Sequence, residues 1–344
     1  MRKIKKKKDL LFNIFIIIVV KVAFGSKIVE GPWGGGNLFL INLKNYLLKN
    51  GVEVVFDLRD EDIDVILFTD PRNSIGSTST ITKNKIYKYL RNKTKTVVVQ
   101  RINECDERKN TKGVNKKYIN ASKVADHVVF VSSWLESLYI SQGIEKNKTS
   151  VILSGSNDDY FNTLDKQYWD KSKKIKLITH HWSSNWMKGF KIYEKIDNYL
   201  RDTDLNEKLE FTYLGNYPKN LEFNKTLTLP PVDEIQTAKI LKDHHIYITA
   251  SINEPSGNHH IEAAQCGLPI LYLDSGGVTQ YCEGFGVSFS ENNLIEKIIE
   301  IMNEYDFYVE RLKLYPQSSN KMCSEYLELF YKLIDIKKND GVLS

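Results

Sequence analysis

The chain has 344 residues, a length that suits two domains of ordinary size. Its hydrophobic content of 42% and charged content of 26% are those of a globular protein, which excludes a disordered or fibrous chain. The net charge of +5 is small and comes largely from an N-terminal lysine cluster, so the remaining mixed charge does not indicate nucleic-acid binding. The spacing of the four cysteines matches no zinc pattern and predicts reduced, structural thiols.

The N-terminal segment, residues 1–25, is basic and then apolar. Its apolar run over 10–20 is shorter than a typical transmembrane helix. Three interpretations fit this pattern. The run is a signal-peptide core with Ala23 and Gly25 before a cleavage point, a signal anchor, or an interfacial helix attracted to anionic lipid by the lysines.

Strand-like and helical patterns alternate through the first half, which predicts an α/β architecture with parallel sheets. The predicted strands are 26–30, 52–56, 65–68, 96–100, 127–131 and 150–153. Helical patterns lie between them, for example at 37–49 and 114–125. A polar stretch with little periodicity, 154–174, then separates the two halves.

The second half repeats this alternation. Its predicted strands are 175–179, 209–213, 246–249 and 269–273, and its predicted helices are 187–200, 233–242 and 257–266. The tail over 292–338 is mostly helical in pattern. We therefore predict a first Rossmann-like domain over 26–155, a second over 156–310 and a helical tail over 311–344.

A run of three glycines, Gly34, Gly35 and Gly36, follows the first predicted strand and opens a helix. Consecutive glycines let a ligand approach the backbone closely, and Asn37 is placed to cap the helix. A plain tight turn is the alternative, although one glycine would suffice for it.

A polar loop over 100–108 follows the apolar strand of the first half. In open α/β sheets ligands bind at the carboxyl ends of strands. Arg101, Asn103 and Asp106 are therefore candidates for contact with an acceptor or a phosphate. A solvated charged loop would have the same composition.

Two carboxylates, Glu254 and Glu262, lie eight positions apart in the segment EPSGNHHIE. The surrounding pattern is strand, loop, helix, strand, with the helix beginning near Gly257, Asn258 and His259. The free N–H groups of such a helix start attract a phosphate. A carboxylate suits a sugar diol because it can accept two O–H hydrogen bonds.

This unit resembles the E-x7-E signature of retaining family 4 (group 1) glycosyltransferases with the GT-B fold, which transfer a sugar from a nucleotide-sugar. The resemblance extends over most of residues 26–310. It implies two Rossmann-like domains facing across a cleft, with a C-terminal helix that crosses back to the first domain. It also implies that Glu254 lies beside the donor sugar and that Glu262 holds the ribose hydroxyls.

The resemblance assigns further residues to the donor. Lys188 and the helix start at Gly257, Asn258 and His259 would stabilise the departing diphosphate. Val232 would lie in the turn that packs on the nucleobase. Gly276 and Gly277 would pack beside the donor loop, and the glycine loop at 34–36 would face the donor phosphates and the acceptor.

The chain departs from the family at two positions. The family has an Arg five residues before its Lys, and this chain has Ser183 there. Lys188 can neutralise a phosphate as a compact point charge, and Arg101 across the cleft is a candidate substitute for the missing Arg. Many members carry His where this chain has Gln100, which argues against an acid–base role there.

The function implied is a retaining, metal-independent hexosyltransferase with no cofactor. Its partners would be a nucleotide-sugar donor and a glycan, lipid-linked or other hydroxyl acceptor. Two alternatives stay open: a nucleotide-sugar 2-epimerase of GT-B fold, and a non-catalytic protein that binds nucleotide-sugars or glycans.

We expect a cytoplasmic protein that is peripheral on a membrane face through residues 1–24, because enzymes of this resemblance commonly work there. A secretory or signal-anchored location is the alternative. Four Asn-x-Ser/Thr sequons keep that alternative open.

Overall fold

A computed structural model of the chain describes residues 19–29, 34–72 and 77–340. The interpretations of residues 1–18 therefore lie outside the described residues. Among the helices that the structure describes, none is both long and apolar enough to span a membrane.

The first domain is built on a parallel sheet of six strands. These are β1 (Lys21–Phe24), β2 (Glu53–Val55), β3 (Val65–Phe68), β4 (Val97–Ile102), β5 (His127–Phe130) and β6 (Thr149–Val151). The strand order is β2-β1-β3-β4-β5-β6. Its helices are α1 (Gly35–Lys49), α2 (Lys83–Leu90), α3 (Val114–Ser122) and α4 (Ser133–Ser141). Apolar clusters on both faces of the sheet explain why β3 and β4 are buried throughout.

The first strand begins earlier in the chain than predicted. β1 covers Lys21–Phe24, not 26–30, and it pairs with β2 on one side and β3 on the other. Val22, Ala23 and Phe24 have no exposed surface. These residues therefore form a central strand of the sheet and do not extend an N-terminal segment that enters a membrane. Cleavage after Ala23 or Gly25 would remove this strand.

Acidic residues hold the start of β1 in place. The Lys21 ammonium lies 3.0 Å from Asp60 and 2.9 Å from Asp62, while the Lys21 backbone N–H donates to Asp64 at 2.9 Å. The charge at the start of a buried strand is thereby neutralised.

The second domain repeats the architecture. Its strands are β7 (Ile175–His181), β8 (Leu209–Gly215), β9 (Leu227–Leu229), β10 (Ile246–Thr249), β11 (Ile270–Leu273) and β12 (Gly286–Phe289), and their order is β12-β11-β10-β7-β8-β9. All neighbouring strands are parallel. The helices are α5 (Phe190–Asp202), α6 (Glu234–Lys242), α7 (Asn258–Gln265), α8 (Val278–Cys282), α9 (Leu294–Asn303) and α10 (Tyr305–Leu312). The stretch 152–174 carries no helix or strand and links the two sheets.

The last helix, α11 (Ser319–Asp340), returns to the first domain. Met322, Tyr326 and Phe330 of α11 are buried in the same cluster as Phe39 of α1. The prediction of a C-terminal helix that crosses back is thus confirmed, as is the two-domain α/β fold. The four cysteines are free and buried.

Candidate active site

A cleft of about 920 Å³ lies between the two domains. The first domain lines it with residues that follow β1, β3 and β4, and the second with residues that follow β7 and β10. The predicted site residues that line the cleft are Gly34, Gly35, Gly36, Arg101, Asn103, Lys188, Glu254, Gly257, Asn258, His259 and Glu262. The cleft therefore brings together the loop after β4 and the loop after β10, which are far apart in the sequence.

The loop after β10 holds Glu254 in a fixed position. Its backbone carbonyl accepts a hydrogen bond from Gly277 N at 2.8 Å. A Cβ at Gly276, which has a φ of +70°, would lie 2.5 Å from that carbonyl oxygen. A Cβ at Gly277 would lie 2.3 Å from the Pro255 oxygen. The glycine pair therefore packs against the backbone of Glu254 and Pro255, and no other residue fits there.

The Glu254 carboxylate is shared by two cations, one from each domain. Arg108 Nε lies 3.0 Å from Oε1, and Lys188 Nζ contacts Oε2. Burial alone would raise the pKa of Glu254, but Arg108 and Lys188 outweigh it and hold the pKa of this carboxyl below its ordinary value. Glu254 is therefore ionised at neutral pH. Burial lowers the pKa of Lys188, and Glu254 opposes that effect.

Lys188 ends a short 3-10 turn, Trp186–Lys188, and does not lie in the helix predicted over 187–200. Gly189 follows with a φ of +89°, and a Cβ there would lie 2.3 Å from the Ala250 oxygen. Only glycine allows this close approach to the end of β10. The approach places Lys188 next to the loop that carries Glu254. Ser183, where the family has Arg, also lines the cleft.

Glu262 lies in α7 and is buried. Its Oε2 lies 2.8 Å from Nε2 of His180, the penultimate residue of β7. His259, one turn earlier in α7, pairs through its Nε2 with Thr249 Oγ1 at 2.9 Å. His180 therefore orients the Glu262 carboxylate, and His259 is tied to β10.

The N-terminus of α7 opens onto the cleft at Gly257, Asn258 and His259. Gly257 has a φ of +82°, and a Cβ there would lie 2.7 Å from His259 Cε1 and 2.8 Å from His260 Cε1. Burial lowers the pKa of His260 to about 3 and that of His259 well below its ordinary value. Both side chains are therefore neutral at pH 7, and the exposed charge at this helix start is the partial positive charge of its N–H groups.

The glycine run lies on the opposite wall. Gly34 is the N-cap of α1, so Asn37 does not cap the helix as predicted. Instead, Asn37 lies inside α1, where its side chain accepts from Val29 N at 2.9 Å and donates to Val29 O at 2.8 Å. A Cβ at Gly35 would lie 3.2 Å from the Asn258 amide nitrogen. The start of α1 therefore meets the start of α7 across the cleft.

Arg101 lies near the end of β4 and Asn103 directly after the strand, and both line the cleft. Arg101 is only 4% exposed, and its guanidinium carbon lies 4.0 Å from the centroid of the Phe39 ring. Gln100 points away into the first domain, where its amide donates to the Tyr118 carbonyl at 3.3 Å. That contact gives Gln100 a structural role.

Four predicted site residues do not line the cleft: Asp106, Val232, Gly276 and Gly277. The two glycines pack beside the donor loop, as predicted, on the backbone of Glu254 and Pro255. The Asp106 carboxylate accepts hydrogen bonds at 3.0 Å from the N–H groups of Val114 and Asn115, and so it holds the start of α3. Val232 is half-buried in the turn before α6. Two residues on, burial and the charge of Glu262 raise the pKa of Glu234 to about 7.

Arg108 and His180 are two charged or polar cleft residues that sequence reasoning did not single out. Each pairs with a motif carboxylate that lies far away in the chain, Arg108 with Glu254 and His180 with Glu262. Arg108 belongs to the polar loop over 100–108, and its composition was the only local signal. His180 lies in a predicted strand and gave no signal.

Across residues 19–29, 34–72 and 77–340, no group of three or more His, Cys, Asp or Glu side chains is arranged to hold a metal ion. The arrangement can bind an anion between Lys188, Arg108 and the start of α7. It also presents two carboxylates to hydroxyl groups.

No protein-family model and no curated protein matches the chain. Solved structures do match. Anabaena HepE, in complex with UDP and glucose, has a TM-score of 0.66 at 15% identity, over 91% of this chain and 100% of that one. A glycosyltransferase from Rickettsia africae has a TM-score of 0.66 at 14% identity, over 92% and 99%. Sucrose-phosphate synthase from Thermosynechococcus elongatus has a TM-score of 0.63 at 14% identity, over 92% and 100%. The fold is therefore that of the GT-B glycosyltransferases.

Proposed function

We propose that this protein is a retaining, metal-independent glycosyltransferase of the family 4 type. It would transfer a hexose from a nucleotide-sugar to a hydroxyl of a glycan or lipid-linked acceptor. The observation that carries the proposal is the meeting of Glu254, Lys188 and the start of α7 at one point of the interdomain cleft. Fold alone would not support an activity, because GT-B folds serve several functions.

The donor diphosphate would lie between Lys188 and the N–H groups at Gly257 and Asn258. A fixed cation and a helix start stabilise charge that develops on a leaving phosphate, and they do so without reorganisation. Glu262, oriented by His180, would accept hydrogen bonds from the ribose hydroxyls. The turn around Val232 would pack on the nucleobase.

Glu254 would orient the donor sugar and would not attack it. A carboxylate paired with two cations, and with its pKa held low, is a weak nucleophile. This differs from retaining glycosidases, where a carboxylate forms a covalent intermediate. Departure of the diphosphate and attack by the acceptor would therefore occur on the same face of the sugar. A phosphate oxygen would take the acceptor proton.

The test is a panel of nucleotide-sugars incubated with the protein, with measurement of free nucleoside diphosphate. UDP-sugars come first in the panel because Anabaena HepE has been solved with UDP-glucose. We expect slow release from one donor, and loss of that release in Glu262→Ala. Glu222→Ala, which changes an exposed glutamate of the same domain, is the matched control.

The products separate the remaining possibilities. A second nucleotide-sugar formed without an acceptor would identify an epimerase. Donor binding without release would identify a binding protein, and Ser183 in place of Arg is the feature that favours this outcome. An acceptor product with the donor's anomeric configuration, read by NMR, supports the retaining transferase, and an inverted product would contradict it.

The N-terminal segment is proposed to attach the protein to an anionic cytoplasmic membrane face. Only residues before β1 can serve this role, because Lys21–Phe24 lie in the sheet. Sedimentation with anionic vesicles, with and without residues 1–18, tests the proposal. Equal sedimentation of both forms would overturn it.

A further inference from the structure

We propose that the acceptor carries an oxyanion, a phosphate or a carboxylate, which Arg101 binds in the half of the cleft formed by the first domain. The proposal rests on the transferase function above and names the acceptor class of that same site. It is carried by a buried positive charge that has no negative partner among the described residues.

Arg101 is 4% exposed, and its Nε and Nη1 are buried without a hydrogen-bond partner in the described part of the chain. Its described neighbours include the Phe39 ring, on which the guanidinium stacks, and the Tyr326 hydroxyl, and neither carries a negative charge at neutral pH. A buried charge is costly unless it is paired. The Arg101 guanidinium is therefore free to bind an anion that enters the cleft.

The other arginines of the cleft are paired with carboxylates. Arg72 binds Asp70 through two hydrogen bonds, Nε to Oδ1 at 2.8 Å and Nη2 to Oδ2 at 3.0 Å. Arg108 lies against Glu254 and Glu104. Arg101 is the exception among the arginines that line this cleft, so its charge is available to a ligand.

The surroundings of Arg101 favour a hydroxylated, anionic molecule. β1, β3 and β4 are neighbours in the sheet, and their carboxyl ends form one wall of the cleft. Ser26 and Lys27 follow β1, and Thr69 follows β3. Lys27 is exposed and makes no ion pair among the described residues, and the strand it follows, β1, is separated from β4 by β3 alone. Hydroxyls for a sugar and two cations for an oxyanion thus share one wall.

The donor does not need Arg101, because the part of the cleft around Glu254 has its own positive groups, drawn from both domains. Lys188 and Arg108 already converge on Glu254, and the start of α7 adds N–H groups. Arg101 makes no ion pair with Glu254 and instead stacks on Phe39 of α1 in the first domain. We therefore assign the diphosphate to Lys188, Arg108 and the start of α7, and a second oxyanion to Arg101.

The experiment measures binding to the protein saturated with UDP. The probes are glucose, glucose 6-phosphate, glucuronate and inorganic phosphate, and vesicles that contain phosphatidic acid form a separate arm for a lipid phosphate. We expect the anionic probes to bind more tightly than glucose. Arg101→Met should weaken anion binding by about tenfold or more, the effect of losing charge-assisted hydrogen bonds. Arg101→Lys should retain part of the binding, and Arg91→Met, which changes an exposed arginine, should have no effect.

The affinity for UDP distinguishes an anion-binding role of Arg101 from a general structural role, because loss of a structural residue would weaken both UDP binding and anion binding. We expect it to be the same in Arg101→Met and in the wild-type protein. If phosphate competes with UDP, or if Arg101→Met weakens UDP binding as strongly as anion binding, Arg101 belongs to the donor subsite and the proposal is overturned.

Equal binding of glucose and glucose 6-phosphate by the wild-type protein would also overturn it, without any variant. Neither result would contradict the transferase proposal, which is tested separately by the release of nucleoside diphosphate.

Discussion

At the scale of single residues, Glu254 forms ion pairs with one cation from each domain. Arg108 reaches it from the first domain and Lys188 from the second. An entering diphosphate would compete with Glu254 for these cations. Arg108 would then contribute positive charge next to the leaving group, a charge that Ser183 does not supply.

Replacement of Arg108 tests this role. We expect Arg108→Met to lower the kcat of nucleoside diphosphate release by roughly 10²-fold, the usual scale for losing one electrostatic contact in the transition state. Arg108→Lys should recover part of the rate, because it restores the charge but not the planar fork. Lys112→Met removes an exposed charge from the following loop and is the control. An unchanged kcat in Arg108→Met would show that the contact with Glu254 is not used.

Motif reasoning found Glu254, Lys188 and Glu262 because the family signature fixes their local spacing. It missed Arg108 and His180, since pairs between distant segments leave no trace in local patterns. It placed Asp106 in the cleft because polar residues clustered after a strand. The Asp106 carboxylate instead accepts hydrogen bonds from N–H groups at the start of α3. This contact forms only once the loop is folded.

At the scale of elements, the start of α1 contains a glycine that the fold does not require. Gly36 lies inside the helix without a positive φ, and a Cβ there would meet no atom within 4 Å. Neither backbone conformation nor packing explains the residue. Close approach of a ligand to the backbone would explain it.

We therefore expect Gly36→Ala to separate stability from activity. It should raise the free energy of unfolding by roughly 0.5–1 kcal/mol, because alanine is the better helix former. It should also lower kcat/KM, since the added methyl group intrudes on the ligand. Asn45→Ala, on an exposed position of the same helix, should gain stability without losing activity. The idea fails if Gly36→Ala gains stability in urea but keeps the kcat/KM of the wild-type protein and of Asn45→Ala.

Elements were predicted well where apolar segments are long and bounded by turns. The bounds of β3 and β10 match the prediction. β1 was misplaced because the apolar run continues from the N-terminal segment into the strand with no turn residue between them. β9 was not predicted, since it has three residues, is largely exposed and lies at the sheet edge.

At the scale of the whole molecule, several histidines are buried in neutral form. Burial lowers the pKa of His244 and of His245 to about 4, against an ordinary value of 6.5. His245 Nδ1 also accepts the backbone N–H of Lys176 at 2.9 Å, a bond that protonation of this nitrogen would break. The native state therefore excludes protons that the unfolded chain takes up.

The sign of the pH dependence follows from these pKa values. Between pH 6.5 and about 4 the unfolded chain binds more protons than the folded one, so stability falls as the pH falls through this window. From pH 7 to pH 5 we expect a loss of roughly 2 kcal/mol for each of the two histidines. Urea unfolding at both pH values measures the loss, and His245→Gln should reduce it. A free energy of unfolding that is the same at both pH values would contradict this interpretation.

The alternation of strands and helices predicted two α/β halves, but it could not predict how they face each other. That arrangement depends on contacts between distant segments, such as Ser133 N to Gln280 at 2.8 Å and Ser154 N to the Tyr281 hydroxyl at 2.9 Å. Only the family resemblance implied the cleft, and its outline agrees with the structure.

The most direct test of the account is the rate of nucleoside diphosphate release from the accepted nucleotide-sugar, compared between wild type, Lys188→Met and Lys191→Met. Lys188 faces Glu254 in the cleft, whereas Lys191 is exposed three residues further on. We predict that Lys188→Met slows release by roughly 10²–10³-fold, the loss expected for one group that stabilises developing charge. Lys191→Met should stay close to wild type. Release at the wild-type rate in a folded Lys188→Met protein would contradict the proposal that this cleft stabilises a departing diphosphate.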